Sequence, residues 1–168
     1  MFTYILANEG ILEKVEGKAM LYIVRNRILI NRPIEVVFAF VTDPMTTHQW
    51  RTNLLSAEVF TPGPMGVGTR VKETWQAGKT RKQAIWEITT YEPPIKRNHT
   101  YIGESRPFRQ TGSLLFTFVQ DKTLLQSTIT IETHFPFTLL LPILRHNLRA
   151  QNKRDFARLK QVLEVERA

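Results

Sequence analysis

The chain has 168 residues, 42% of them hydrophobic and 23% charged, the profile of one globular domain long enough to bury a core. It contains no cysteine, which excludes disulfides, thiolate nucleophiles and zinc–sulfur centres. Twenty-three Lys and Arg against 15 Asp and Glu leave a formal charge of +8, which either decorates a solvated surface or favours acidic partners.

Met1 to Ala19 carries mixed charges and no apolar stripe, and reads as an N-terminal extension of unclear role; the domain proper is expected over 20–168. Leu21 to Ile30 is β-rich and partly alternating, which predicts a strand. Asn31 as cap, Pro33 in the first turn and an apolar face of Val36, Val37, Phe40 and Val41 predict a helix. Asp43-Pro44 stops it and starts a short second helix that ends near Trp50. Strand-like runs follow from Leu54, Thr69, Lys82, Arg97, Gly112 and Thr123, with turns expected at Gly78-Lys79 and Asp121-Lys122. After Phe135-Pro136 the spacing of Leu144, Leu148, Asn152, Phe156, Leu159 and Leu163 predicts one long amphipathic helix, from about residue 138 to 165.

Phe135 to Leu144 is the longest apolar run, far short of the roughly 20 residues a membrane span needs. The N-terminus shows no secretory pattern, so the cytoplasm is the expected compartment. The element order is strand, two short helices, a block of antiparallel strands and a long helix. It predicts an α+β fold in which a curved sheet of six or seven strands wraps the C-terminal helix and leaves a gap beneath it.

The glycines of "TPGPMGVGTRVKETW" (Thr61 to Trp75) pose a choice between a phosphate cradle and a turn. A phosphate loop needs a helix directly after the glycines. Gly66-Val67-Gly68 instead runs into the alternating "TRVKETWQA", so the loop joins two strands.

"RPIEVVFAFVTDPMTTHQW", "PGPMGVGTRVKETW", "WEITTYEPPIKR", "ESRPFRQTGSLLFTF" and "FARLKQVLE" stand in that order. Together they resemble the polyketide cyclase/dehydrase-type branch of the START-like (SRPBCC, Bet v 1-like, helix-grip) superfamily, over about Met20 to Ala168. The resemblance implies a deep apolar cavity under the C-terminal helix. It places the mouth at the Pro62–Gly68 loop, the second short helix and the Arg106–Phe108 turn.

Alternation selects the inward-facing residues. Trp75, Trp86, Ile88, Ile129, Leu148 and Phe156 are expected to line the cavity, and Glu73, Tyr101 and Asn152 to be its few polar groups. Glu73, a carboxylate among hydrophobes, is the candidate catalytic acid or base. On the last strand Leu125, Ser127, Ile129 and Ile131 are expected inward. The histidines His48, His99, His134 and His146 lie on different elements without metal-ligand spacing and read as surface and rim residues, so neither a metal nor a cofactor is expected.

Three functions remain open. The first is binding or transport of a small hydrophobic molecule such as a lipid, isoprenoid or polyketide-like aromatic. The second is a cyclase or dehydratase using an acid–base residue of the cavity. The third is an interaction module whose basic C-terminal helix (Arg145, Arg149, Lys153, Arg154, Arg158, Lys160) engages an anionic membrane surface or an acidic protein. Nucleic acid is disfavoured, since no aromatics interleave with those basic residues.

Overall fold

A computed structural model describes residues 10–14, 19–102 and 108–165; the side chains of residues 10–14, 19, 140–142, 144 and 145 are not described. The strands are β1 (Gly10–Lys14), β2 (Ala19–Ile30), β3 (Leu54–Val59), β4 (Arg70–Ala77), β5 (Thr80–Glu92), β6 (Lys96–Ile102), β7 (Phe108–Val119) and β8 (Lys122–His134). The helices are α1 (Ile34–Thr42), α2 (Pro44–Thr47) and α3 (Leu141–Val165), the last preceded by a 3₁₀ turn over Phe137–Leu140. All strands join one antiparallel sheet in the order β1-β2-β8-β7-β6-β5-β4-β3. Seven strands, β2 to β8, form the curved sheet that the sequence predicts, with α3 along its concave face. The eighth comes from the leading segment: Gly10 to Lys14 pair with Val24 to Met20.

Pairing register divides the sheet into two ends. The starts of β2, β7 and α3, the end of β8 and the β4–β5 turn lie at one end; α1, the β3–β4 loop and the β5–β6 and β7–β8 turns lie at the other. The β4–β5 turn uses Gly78 at φ 61°, a conformation that glycine adopts without a Cβ penalty. The β7–β8 turn sits one residue earlier than predicted, at Gln120-Asp121, both with positive φ, because Val119 already pairs with Lys122. Asn31 does not cap α1: its backbone N–H donates to the Glu164 carboxylate at 2.7 Å, and Pro33 holds the cap position. The buried face of α1 is Val37, Phe38, Val41 and Thr42 rather than the predicted set, which leaves Val36 exposed and Phe40 partly buried.

The main core lies between α1, the C-terminal half of α3 and the sheet, built on Ile30, Phe38, Trp50, Phe116, Leu125, Leu159 and Leu163. On β7 Phe116 is buried, whereas Phe118 is 60% exposed. A second cluster joins Leu54, Val71, Trp86 and Ile88 under β3, and a third joins Tyr22, Val24 and Ile131 with Leu148.

Candidate functional site

Between these clusters the inner face of the sheet turns polar. A cavity of about 60 Å³ lies under α3, lined by side chains from α1, α2, the α2–β3 connection, five strands and the helix itself. Of the expected cavity residues, Glu73, Trp86, Tyr101, Ile129, Asn152 and Phe156 line it. Three do not. Ile88 packs into the cluster under β3, Leu148 packs with Tyr22, Val24 and Ile131, and Trp75 faces a separate outer groove. Leu125, Ser127 and Ile129 face inward from β8 as alternation predicts.

The Pro62–Gly68 loop does join two strands, with Gly68 at φ 86° and its N–H bonded to Ile88 O at 2.8 Å. None of its residues lines this cavity. Arg106 of the second expected rim lies outside the described residues.

Glu73 is the buried centre of the site, its side chain 1% exposed. One carboxylate oxygen accepts from Arg51 Nη1 at 3.2 Å, and the other accepts from Trp75 Nε1 at 3.0 Å and Tyr101 O–H at 3.3 Å. Arg51 in turn lies over the Trp75 ring, 4.2 Å from its centroid. The Arg51–Trp75 stack therefore forms a wall with the cavity on one side and, on the other, an open groove of about 520 Å³ between the β4–β5 hairpin and α3.

The lining also includes Arg51, Arg97 and Asp155, which sequence reasoning does not single out, and His99, which it reads as a rim residue. Arg97, His99 and Tyr101 alternate on β6, so placing Tyr101 inward also places the other two there. Arg97 is buried, donates to Thr42 O at 3.3 Å and stacks on Trp86 at 4.9 Å. Burial, reinforced by the Arg51 charge and opposed by Glu73, lowers its pKa to about 10, so it keeps its charge at neutral pH. Asp155, 3% exposed, accepts from the Thr52 N–H and O–H, both at 2.8 Å, which ties the α2–β3 connection to the helix.

His99 is not the rim residue that the sequence suggests. Its ring packs between Trp86 and Tyr101, with centroids 5.2 and 5.7 Å away. Burial, and then the Arg97 and Arg51 charges, push its pKa well below the usual histidine range, so the ring is neutral at pH 7. Gly112 on β7 makes room for it: a Cβ there would sit 2.2 Å from the imidazole. Burial, and then the Glu73 carboxylate, push the Tyr101 hydroxyl above its ordinary value, so it also stays protonated.

Four buried polar atoms of the lining have no hydrogen-bond partner among the described residues: Trp50 Nε1, Arg97 Nε, His99 Nδ1 and Asn152 Nδ2. Three of them can only donate. Among the described residues no group of three or more His, Cys, Asp or Glu side chains could hold a metal ion, and no helix is long and apolar enough to cross a membrane. The basic face of α3 is partly committed. Lys160 donates to Leu29 O at 2.7 Å and pairs with Glu164 at 3.4 Å, and Arg149 is half-buried.

A long C-terminal helix gripped by a curved antiparallel sheet, with a cavity between them, is the helix-grip class of α+β protein. The family model for "Polyketide cyclase / dehydrase and lipid transport" matches residues 23–164, and the chain belongs to that family, within the SRPBCC superfamily. No curated protein matches the sequence. Among solved structures it is similar to TTHA0849 from Thermus thermophilus, at 18% identity and a TM-score of 0.71, covering 87% of this chain and 99% of that one. Ara h 8.0201 superposes with a TM-score of 0.67 at 12% identity, covering 85% and 97%. The di-domain ARO/CYC BexL from the BE-7585A biosynthetic pathway gives a TM-score of 0.72 at 13% identity, covering 86% of this chain and half of the longer one. At these identities the likeness shows the fold alone.

Proposed function

We propose that the protein binds a small, mainly apolar molecule carrying a hydrogen-bond acceptor, such as a carbonyl oxygen, in the cavity under α3. The unpaired donors of Trp50, Arg97 and Asn152 carry this reading. Each buried donor left unmet costs about 1–3 kcal/mol, which an acceptor-bearing ligand recovers. Trp86, Leu125, Ile129 and Phe156 supply the apolar walls. The volume of about 60 Å³ is far below the roughly 300–1,000 Å³ of usual ligand pockets, so the site must open as it fills.

A cyclase or dehydratase is the second reading, favoured by the His99 ring and the Tyr101 hydroxyl standing side by side in the cavity lining. The burial that keeps the one neutral and the other protonated also weakens them as base and acid. In the loss of water from a cyclic alcohol, His99 would take the C–H proton while Tyr101 protonates the departing hydroxyl; proton exchange between the two then restores both. Glu73 suits the role less well than its burial suggests, because three donors already occupy its oxygens.

Native mass spectrometry of the protein purified from cells tests the binding reading. A bound small molecule should appear in the wild type and be lost in Asn152→Leu and Arg97→Met. Absence of any bound mass, together with no thermal shift from aromatic ketones or fatty acids, would overturn it. Turnover of a polyketide-like ketone that vanishes in His99→Gln and Tyr101→Phe would favour the enzyme.

A further inference from the structure

The end of the molecule where α3 begins carries an apolar prow. Phe135, Phe137, Leu139 and Ile143 are 73%, 41%, 71% and 65% exposed, four large apolar residues in a stretch of nine. Single exposed hydrophobics are ordinary on a protein surface; a run concentrated in one short segment marks a contact surface. The run has a firm base, since the Phe137 ring packs edge-on against Phe108 at 6.3 Å.

Beside this prow stands the β4–β5 hairpin, with Lys79, Arg81 and Lys82 all exposed. The two are neighbours: the open groove runs between Trp75–Gly78 of the hairpin and His146–Arg154 of α3, and no acidic side chain lines it. The opposite end also exposes apolar residues, among them Met45, Val59, Phe60, Val67, Ile95, Phe118 and Val119. Those are scattered over α2, the β3–β4 connection and the β5–β6 and β7–β8 turns, and Asp43, Glu58, Glu92 and Asp121 stand in the same stretches. Among the described residues, the α3-start end is the one where exposed apolar residues fall in one short stretch of chain beside a cluster of cations.

We infer that this end docks on an anionic lipid surface, the Phe135–Ile143 segment entering the headgroup boundary and Lys79, Arg81 and Lys82 contacting the lipid phosphates. A stretch this short and apolar, flanked by basic residues, suits insertion at the interface rather than a span. An acidic protein would satisfy the cations but gives no reason for four exposed Phe, Leu and Ile side chains. The docking stands whether or not the cavity takes a ligand. If it does, the groove would face the bilayer, with only the Arg51–Trp75 wall between groove and cavity.

Flotation with phosphatidylcholine vesicles, with and without phosphatidylglycerol, tests the inference on the full chain. The wild type should float with the phosphatidylglycerol vesicles and detach as salt rises. Phe135→Ser combined with Leu139→Ser removes only exposed side chains, so the fold should persist while flotation is lost. Lys79→Glu combined with Lys82→Glu should weaken binding by on the order of 100-fold. Arg158→Glu, an exposed change farther along α3, serves as the control and should bind like the wild type. Failure of the wild type to float, equal binding by the Phe135/Leu139 variant, or an Arg158→Glu loss as large as that of the hairpin variant would each overturn the inference. So would a concentration-dependent dimer that the Phe135/Leu139 changes abolish, in a protein that ignores vesicles.

Discussion

The two halves of α3 rest on the same sheet but are held differently. From Asp155 to Glu164 the helix is pinned: Leu159 and Leu163 are buried in the main core, and Asp155 accepts two bonds from Thr52. In the same half Lys160 bonds Leu29 O, Arg32 Nε donates to Leu163 O, and Glu164 accepts from the Asn31 N–H. From Ile143 to Asn152 no described apolar side chain is fully buried, and Arg149 Nε and Asn152 Nδ2 have no partner among the described residues. The first half of the helix is thus held by fewer buried contacts than the second, and the cavity lies where the two meet, lined by Asn152, Asp155 and Phe156.

Substitutions can break or sharpen this contrast. Leu159→Ala should lower the unfolding free energy by about 2–5 kcal/mol in a denaturant titration, whereas Leu148→Ala, only partly buried, should cost less than half as much. Equal losses would abolish the distinction between the halves. Glu73→Gln leaves Arg51 without its counter-charge. Because the Arg51 side chain is 25% exposed and can turn to water, the expected cost is about 1–3 kcal/mol. Gly112→Ala drives a Cβ into the His99 ring and should cost about 1–3 kcal/mol, a loss that His99→Ala in the same chain should largely reverse.

His99 also gives the cavity a pH signature. Its folded pKa lies well below 6.5, so the unfolded chain takes up the proton first as pH falls. Its contribution is therefore complete above about pH 6.5 and is lost progressively below it, and His99→Gln should flatten that part of the stability profile. The smallest effect is the most telling. Asn152→Leu removes an unmet buried donor and should leave the free protein unchanged or stabilise it by about 1 kcal/mol, while weakening retention of any bound molecule.

The fold was legible because strand alternation, turn residues and helical spacing all pointed the same way, from Leu21 through Leu163. Boundaries slipped where backbone conformation decided, as at Gln120-Asp121 and Asn31, and where pairing extends a strand past its clear alternation, as in β7, which begins at Phe108 rather than Gly112. The strand Gly10–Lys14 carries no pattern that marks it. The site was legible in part. Glu73, Trp86, Tyr101 and Asn152 follow from periodicity, and the same periodicity on β6 contains Arg97 and His99; the want of metal-ligand spacing, which makes His99 read as a rim residue, says nothing about which way it faces. Asp155 lies about one helical turn from Asn152 and so shares its side of the helix. Gly112 reads in the sequence as the start of a strand; the structure places it in mid-strand, where the missing Cβ makes room for His99. Arg51 follows a four-residue helix, where no period exists to aim a side chain, and only the folded chain brings it to Glu73.

The two borders of the sheet are finished in different ways. β3 is a six-residue strand with a register shift between Leu54 and Ser56, too short and irregular to template another chain. β2 is twelve residues long and rich in Val, Ile and Leu, and without a neighbour its outer backbone would invite edge-to-edge polymerisation. The strand Gly10–Lys14 pairs with that border along Met20 to Val24, so the strand at this edge is five residues long and the template β2 would offer is shortened by nearly half.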